Sequence, residues 1–107
     1  MNPSRYIKTM LQKQILDIIF SVLSPEETTV LLFGSQVSEK KSRLSDIDIG
    51  LINDTGIEDK NFLSLVERLN YEVDTLRKID LVDFSRIDDK FKKIAMKKVE
   101  LWHTVKY

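Results

Sequence analysis

The sequence contains no cysteine, which excludes disulfides, thiolate metal sites and a cysteine nucleophile, and fits a reducing compartment. It has no surplus of charge either: 17 Lys and Arg face 17 Asp and Glu, for a formal net charge of zero. A protein that coats nucleic acid needs excess cations to release the counterions around phosphates, so general nucleic-acid binding is not expected. Long apolar runs are also missing. The clearest apolar stretch, Val30–Phe33, is far too short to span a bilayer. The opening Met1-Asn2-Pro3-Ser4-Arg5-Tyr6 has no apolar core of a signal peptide. A cytoplasmic protein without membrane association is expected. The length, 107 residues, suits one domain spanning 1–107, without repeats, low-complexity segments or an internal linker.

What is present is an alternation of helical and strand patterns. Between Ser4 and Leu23, the residues Ile7, Met10, Leu11, Ile15, Ile18, Ile19 and Val22 recur at three- and four-residue spacing and line one face of a helix. Ser24-Pro25 ends it. Thr28–Phe33 is β-branched and apolar and predicts a buried strand, broken at Gly34. Ser35–Glu39 predicts a short helix, and Lys40–Arg43 a cationic loop. Ser45–Ile52 alternates, with Ile47, Ile49 and Leu51 on one face and Asp46, Asp48 and Gly50 on the other. Asn53-Asp54-Thr55-Gly56 is a turn signal. Asp59–Leu76 predicts an amphipathic helix with Phe62, Val66, Leu69, Val73 and Leu76 in its stripe, and Arg77-Lys78 at its negative end. Ile79–Phe84 is a third strand. Asp88–Lys98 is a last helix, with Ser85 in its N-cap region and Phe91, Ile94, Ala95 and Val99 inward. The tail Leu101–Val105 reads equally as an edge strand or a docked extension. This order predicts an α/β (α+β) fold, a sheet with helices packed against it. The connection between the first two strands is shorter than a usual parallel crossover, so a small mixed sheet with those strands antiparallel is expected.

The chemistry sits in Gly34-Ser35, then ten residues, then Asp46-Ile47-Asp48-Ile49-Gly50, with Asp80 and Asp83 on the third strand. Phosphoryl and nucleotidyl transfer need in-line positioning and cations on the phosphates rather than covalent help. A two-metal site places its ions roughly 3.5–4 Å apart, and Mg²⁺ takes carboxylate, phosphate and water oxygens. Asp46 and Asp48, two apart on a strand, project to the same side and can converge on such a pair. Asp80 and Asp83 face opposite sides of their strand, and periodicity does not choose between them as the third carboxylate. Gly34 lets the backbone approach a triphosphate, and the Ser35 hydroxyl can donate to a phosphate oxygen. Gly50, without a side chain, would leave room beside the carboxylates.

These residues resemble the signature of the polymerase-β-like nucleotidyltransferase superfamily over roughly Thr28–Phe84. The short length and Ser45-Asp46-Ile47-Asp48 are most similar to the minimal nucleotidyltransferases (MNT), the antitoxin-type partners of HEPN proteins. The resemblance implies a polymerase-β-like nucleotidyltransferase core. It implies that Asp46, Asp48 and Asp80 are catalytic and hold two Mg²⁺ ions. It places Gly34, Ser35, Gln36 and Ser45 at the nucleotide, with ATP or another NTP as substrate. It further implies transfer of a nucleotide, AMP above all, to a hydroxyl, which in such systems can be a tyrosine of the HEPN toxin. A HEPN-type partner, in a homo- or hetero-oligomer, is expected. The sequence departs from the family at Gln36, where the family often carries a basic residue; glutamine offers phosphate only a neutral contact, and Lys40, Lys41 or Arg43 would have to supply the charge.

Blander readings compete. An Asp-x-Asp alone is often a solvated strand face, but that leaves the Gly-Ser turn unexplained. His103, without a ligand-spaced neighbour, reads as structural, Trp102 and Tyr107 as packing residues, Asp83 as a strand-end carboxylate. Lys90, Lys92, Lys93, Lys97 and Lys98 read as a solvated helix side. Two other functions are weighed: a non-catalytic module that neutralises a partner by contact, and an antibiotic-modifying nucleotidyltransferase, which usually carries a further helical domain for its acceptor.

Overall fold

The computed structural model describes residues 3–34 and 46–106, with side chains from Thr9 onward. The elements are α1 (Pro3–Val22), β1 (Thr28–Phe33), β2 (Ile47–Asn53), α2 (Asp59–Glu72), β3 (Ile79–Asp83), α3 (Asp89–Met96) and β4 (Glu100–His103). They build one four-stranded sheet in the order β3-β2-β1-β4. β1 runs antiparallel to β2 and to β4, while β2 and β3, joined through α2, are parallel. The mixed sheet expected from the short first connection is therefore present. The tail forms the edge strand β4, which closes the choice the sequence left open.

Period-2 alternation gives the sheet two different faces. On the main face, Val30, Leu32, Ile47, Ile49, Leu51 and Ile79 meet Ile15, Ile18 and Ile19 of α1 and Leu65 and Leu69 of α2. Each such side chain, once fully buried, contributes about 1.5–3 kcal/mol. The opposite face is smaller: Leu31, Phe33 and Phe84 pack with Ile52, Val82, Ile87, Ala95 and Val99. The Phe33 and Phe84 rings meet edge to face, with centroids 5.3 Å apart.

The apolar stripes differ from expectation in particular places. α2 stops at Glu72, because Val73 turns extended (φ −73°, ψ 133°). Helical spacing no longer holds beyond it, and Leu76 lies fully in solvent while Leu65, absent from the expected stripe, is completely buried. α3 buries no residue. It faces the small second cluster through Ala95, with Val99 following, so Phe91 and Ile94 are exposed rather than inward. Its N-cap is Asp88, which accepts from the Phe91 amide at 2.8 Å.

A buried polar pair sets the register of β1 on β2. Asn53 and Thr28 are cross-strand partners, and the Asn53 amide nitrogen donates to Thr28 Oγ1 at 2.8 Å. The other end of the Asn53 side chain accepts from the Thr55 amide (3.1 Å) and hydroxyl (3.0 Å), so these buried groups are satisfied and the expected turn is closed. Trp102 packs on the main core, and its indole N–H donates to Glu100 at 2.9 Å. The His103 ring stands edge-on to Phe20 and lies 2.8 Å from the Pro25 carbonyl through Nε2, a structural role. Tyr107 lies outside the described residues. Among the described residues no helix is long and apolar enough to cross a membrane.

Candidate active site

The site grows from one end of the sheet, where β1 finishes and β2 and β3 begin. β1 ends at Gly34, whose φ is 74°, a region open to glycine and costly for other residues. A Cβ on Gly34 would stand 2.2 Å from Asp48 Oδ2. Glycine is therefore required there for its backbone and for the space it leaves the Asp48 carboxylate.

In the parallel β2–β3 ladder Asp48 lies directly opposite Asp80, on strands about 4.8 Å apart. Asp46 stands exposed just before β2. Asp48 is half-buried next to its other cross-strand partner, Phe33. Its carboxyl is held above the usual carboxylate range, chiefly by burial, then by the negative charges of Asp80 and Asp46. The three aspartates thus share one electrostatic environment.

Asp83 is elsewhere. It is 5% exposed, and its Oδ1 accepts from the Ser85 amide (3.0 Å) and hydroxyl (2.6 Å). Its Oδ2 has no hydrogen bond, although Arg86 Nε lies 3.3 Å away as an ion-pair partner without hydrogen-bond geometry. Arg86 also donates to Asp59 and to the Ile57 carbonyl, so Asp83 belongs to a clip between the end of β3 and the start of α2.

Gly50 does not leave room at the carboxylates. It lies opposite Leu31 on β1 and Val82 on β3, and a Cβ would meet Leu31 Cδ1 at 2.8 Å and the Phe84 ring at 2.9 Å. The space is already filled by the second core.

Two residues that the motif reading passed over support the cluster. Asn70 of α2 clamps the residue before Asp80: its amide nitrogen donates to the Ile79 carbonyl (2.9 Å), and its oxygen accepts from the Ile79 amide (2.8 Å). Lys78, read as a helix-end cation, instead lies 3.1 Å from Asp80 Oδ1 through Nζ. Its ammonium is held above its ordinary pKa by the Asp80 hydrogen bond and charge, then by Asp46. The signal for Lys78 was in the spacing, since residues two apart in extended chain share a side. Asn70 carried no comparable signal, because its partner is backbone nine residues away.

Ser35, Gln36 and Ser45, expected at the nucleotide, lie outside the described residues, as do the short helix Ser35–Glu39 and the loop Lys40–Arg43. Among the described residues no three Asp, Glu, His or Cys side chains are arranged to hold a metal ion. The donor chemistry nonetheless fits a hard divalent cation. The donors are carboxylate oxygens, and a cation would relieve the repulsion by Asp80 and Asp46 that adds to burial in raising the Asp48 carboxyl.

No curated protein matches the sequence. The fold is similar to a toxin–antitoxin crystal structure with AMP-PNP: TM-score 0.73 and 20% identity over 89% of this chain and 74% of that one. It is also similar to a structure of a tri-AMPylated Shewanella oneidensis HEPN toxin in complex with MNT antitoxin: TM-score 0.68, 18% identity, 88% of this chain and 70% of that one. A third likeness is to the toxin–antitoxin MntA–HepT: TM-score 0.64, 18% identity, with the same coverage of 88% and 70%. At such identities the likeness establishes the fold. A family model, "Polymerase beta, Nucleotidyltransferase", matches residues 7–104, and the chain belongs to that nucleotidyltransferase family.

Proposed function

We propose that this protein is a Mg²⁺-dependent nucleotidyltransferase that moves AMP from ATP to a hydroxyl, as the antitoxin of a HEPN/MNT pair whose acceptor is a tyrosine of the toxin. The observation that carries the proposal is the placement of Asp48 opposite Asp80 on parallel strands, with Asp46 in electrostatic range and Gly34 vacating the space of the Asp48 carboxylate. Family membership supports the reaction class. The similar structures, one with AMP-PNP and one an AMPylated HEPN toxin beside its MNT antitoxin, support the nucleotide and the partner.

Asp46, Asp48 and Asp80 would hold the metal, which when bound supplies positive charge at the phosphates and at the acceptor oxygen. Asp80 takes the proton from the acceptor hydroxyl as its oxygen attacks the α-phosphorus and pyrophosphate leaves. Gly34 presents backbone rather than a side chain to the triphosphate. The second core beneath Asp48 keeps one side of the carboxylate out of water, which strengthens its charge interactions. Ser35, Gln36 and Ser45 complete the nucleotide contacts.

Calorimetry of ATP binding, with and without Mg²⁺, tests the reading on wild type and Asp46→Asn/Asp48→Asn. Magnesium-dependent binding lost in the double variant is expected. Wild type that binds no ATP, even with its HEPN partner present, would leave a module that neutralises by contact alone.

A further inference from the structure

We propose that Lys78 is a built-in counter-ion of this site: its ammonium holds Asp80 in the absence of a divalent cation and is displaced when one binds. The inference rests on the reading of Asp46, Asp48 and Asp80 as the cation ligands.

Four observations lead to it. Lys78 Nζ sits 3.1 Å from Asp80 Oδ1, so it donates to an oxygen that a metal would need. Its charge also reaches Asp46, so a single cation serves a carboxylate on β3 and one just before β2. Its backbone is tied into the site, because the Lys78 carbonyl accepts from the Ile47 amide at 2.9 Å, where β2 and β3 begin. Its side chain, in contrast, is 66% exposed and free to swing away. An ammonium is a compact charge on a flexible stem, suited to a contact that must be given up; a guanidinium would fork onto the carboxylate and hold it. Without such a charge, three aspartates in one environment repel each other. With it, the apo site is partly neutralised by a group that leaves at little cost, since exposed ion pairs are weak.

The test is a calorimetric titration of the protein with Mn²⁺ alone, without nucleotide, at low ionic strength. Lys78→Met and Lys78→Gln are both expected to tighten Mn²⁺ binding about 3- to 10-fold, because the competitor and its repulsion are gone. Lys78→Arg is expected to bind no more tightly than wild type. Lys13→Met, which removes an equal charge from a pair with Asp17 on α1, is expected to leave the affinity unchanged. Unchanged or weaker Mn²⁺ binding in both neutral variants would overturn the proposal. If wild type then still binds Mn²⁺ and Asp46→Asn/Asp48→Asn does not, the site stands and only the role of Lys78 falls. If neither wild type nor the Lys78 variants bind, the site reading falls with it.

Discussion

Gly50→Ala separates two explanations for a glycine in the middle of β2. Its backbone is not the reason, since Gly50, unlike Gly34 and Gly56, has no positive φ. If Gly50 leaves room for a ligand, a methyl group should weaken ATP binding and spare the fold. The structure says otherwise. The new Cβ would meet Leu31 Cδ1 at 2.8 Å and Phe84 Cε1 and Cζ at 2.9 Å. Leu31 and Phe84 are 0% and 1% exposed, so neither can turn toward solvent. Overpacking of this kind costs about 1–3 kcal/mol, offset by about 0.4–1 kcal/mol from the lost freedom of the unfolded chain. The net is a destabilisation of about 1.3 kcal/mol at the middle of these ranges and about 2.6 kcal/mol at most, or roughly a 5–20 °C fall in Tm for a domain of this size. Thermal and urea unfolding measure it. A double-mutant cycle with Phe84→Leu adds a sharper readout, because the smaller side chain relieves the clash. The two changes together should cost less than their sum, with a coupling of about 0.5–2 kcal/mol. A Tm equal to wild type, or strict additivity with Phe84→Leu, would refute the packing argument.

Three further outcomes are expected. Asp48→Asn should be more stable than wild type at pH 7 without metal: the folded protein holds the Asp48 proton more tightly than the unfolded chain, so its stability contribution is full below the ordinary pKa of 3.8 and is lost as pH rises through the raised value. Urea unfolding from pH 7 downward should show this advantage shrinking toward pH 4, and a less stable Asn variant at pH 7 would count against the burial argument. Gly34→Ala should lose magnesium-dependent ATP binding, because its Cβ displaces the Asp48 carboxylate, while the positive φ costs about 1–2 kcal/mol in stability; full binding with normal stability would contradict both reasons. Asn70→Ala should cost about 1–3 kcal/mol by leaving the Ile79 amide and carbonyl without their partner, and should weaken Mn²⁺ binding through a looser Asp80. Unaltered metal binding in a destabilised Asn70→Ala would confine that residue to a structural role.

Much of this molecule was legible in the chain because its signals are local. β-branched runs and period-2 alternation marked β1 and β2, and the short link between them called for antiparallel pairing. The Asn53–Gly56 turn followed from residue chemistry alone. Helical periodicity found α1 and α2, but not where α2 stops. Leu76 continues the spacing in sequence and yet lies in solvent, because Val73 has already left the helix. Phe91 and Ile94 fit an inward stripe, yet the second face offers only a small cluster for α3 to cover.

The sequence by itself singled out the residues proposed to carry the chemistry: Gly34 at a strand end, Asp46 and Asp48 two apart at the start of an alternating stretch, and an aspartate on the third strand. Period and connectivity act within a few residues, and these features need no more. Only the tertiary structure decided what those residues meet. Parallel pairing of β2 with β3 put Asp80 opposite Asp48 and sent Asp83 into a clip with Ser85 and Arg86. The Phe84 ring turned Gly50 from an opening into a packing position. The same junction brought Lys78 onto Asp80 and left Asn70 holding the backbone beside it. Each of these depends on register between strands or on a helix crossing the sheet, and such contacts are set by the packing of the whole core rather than by neighbours in the chain.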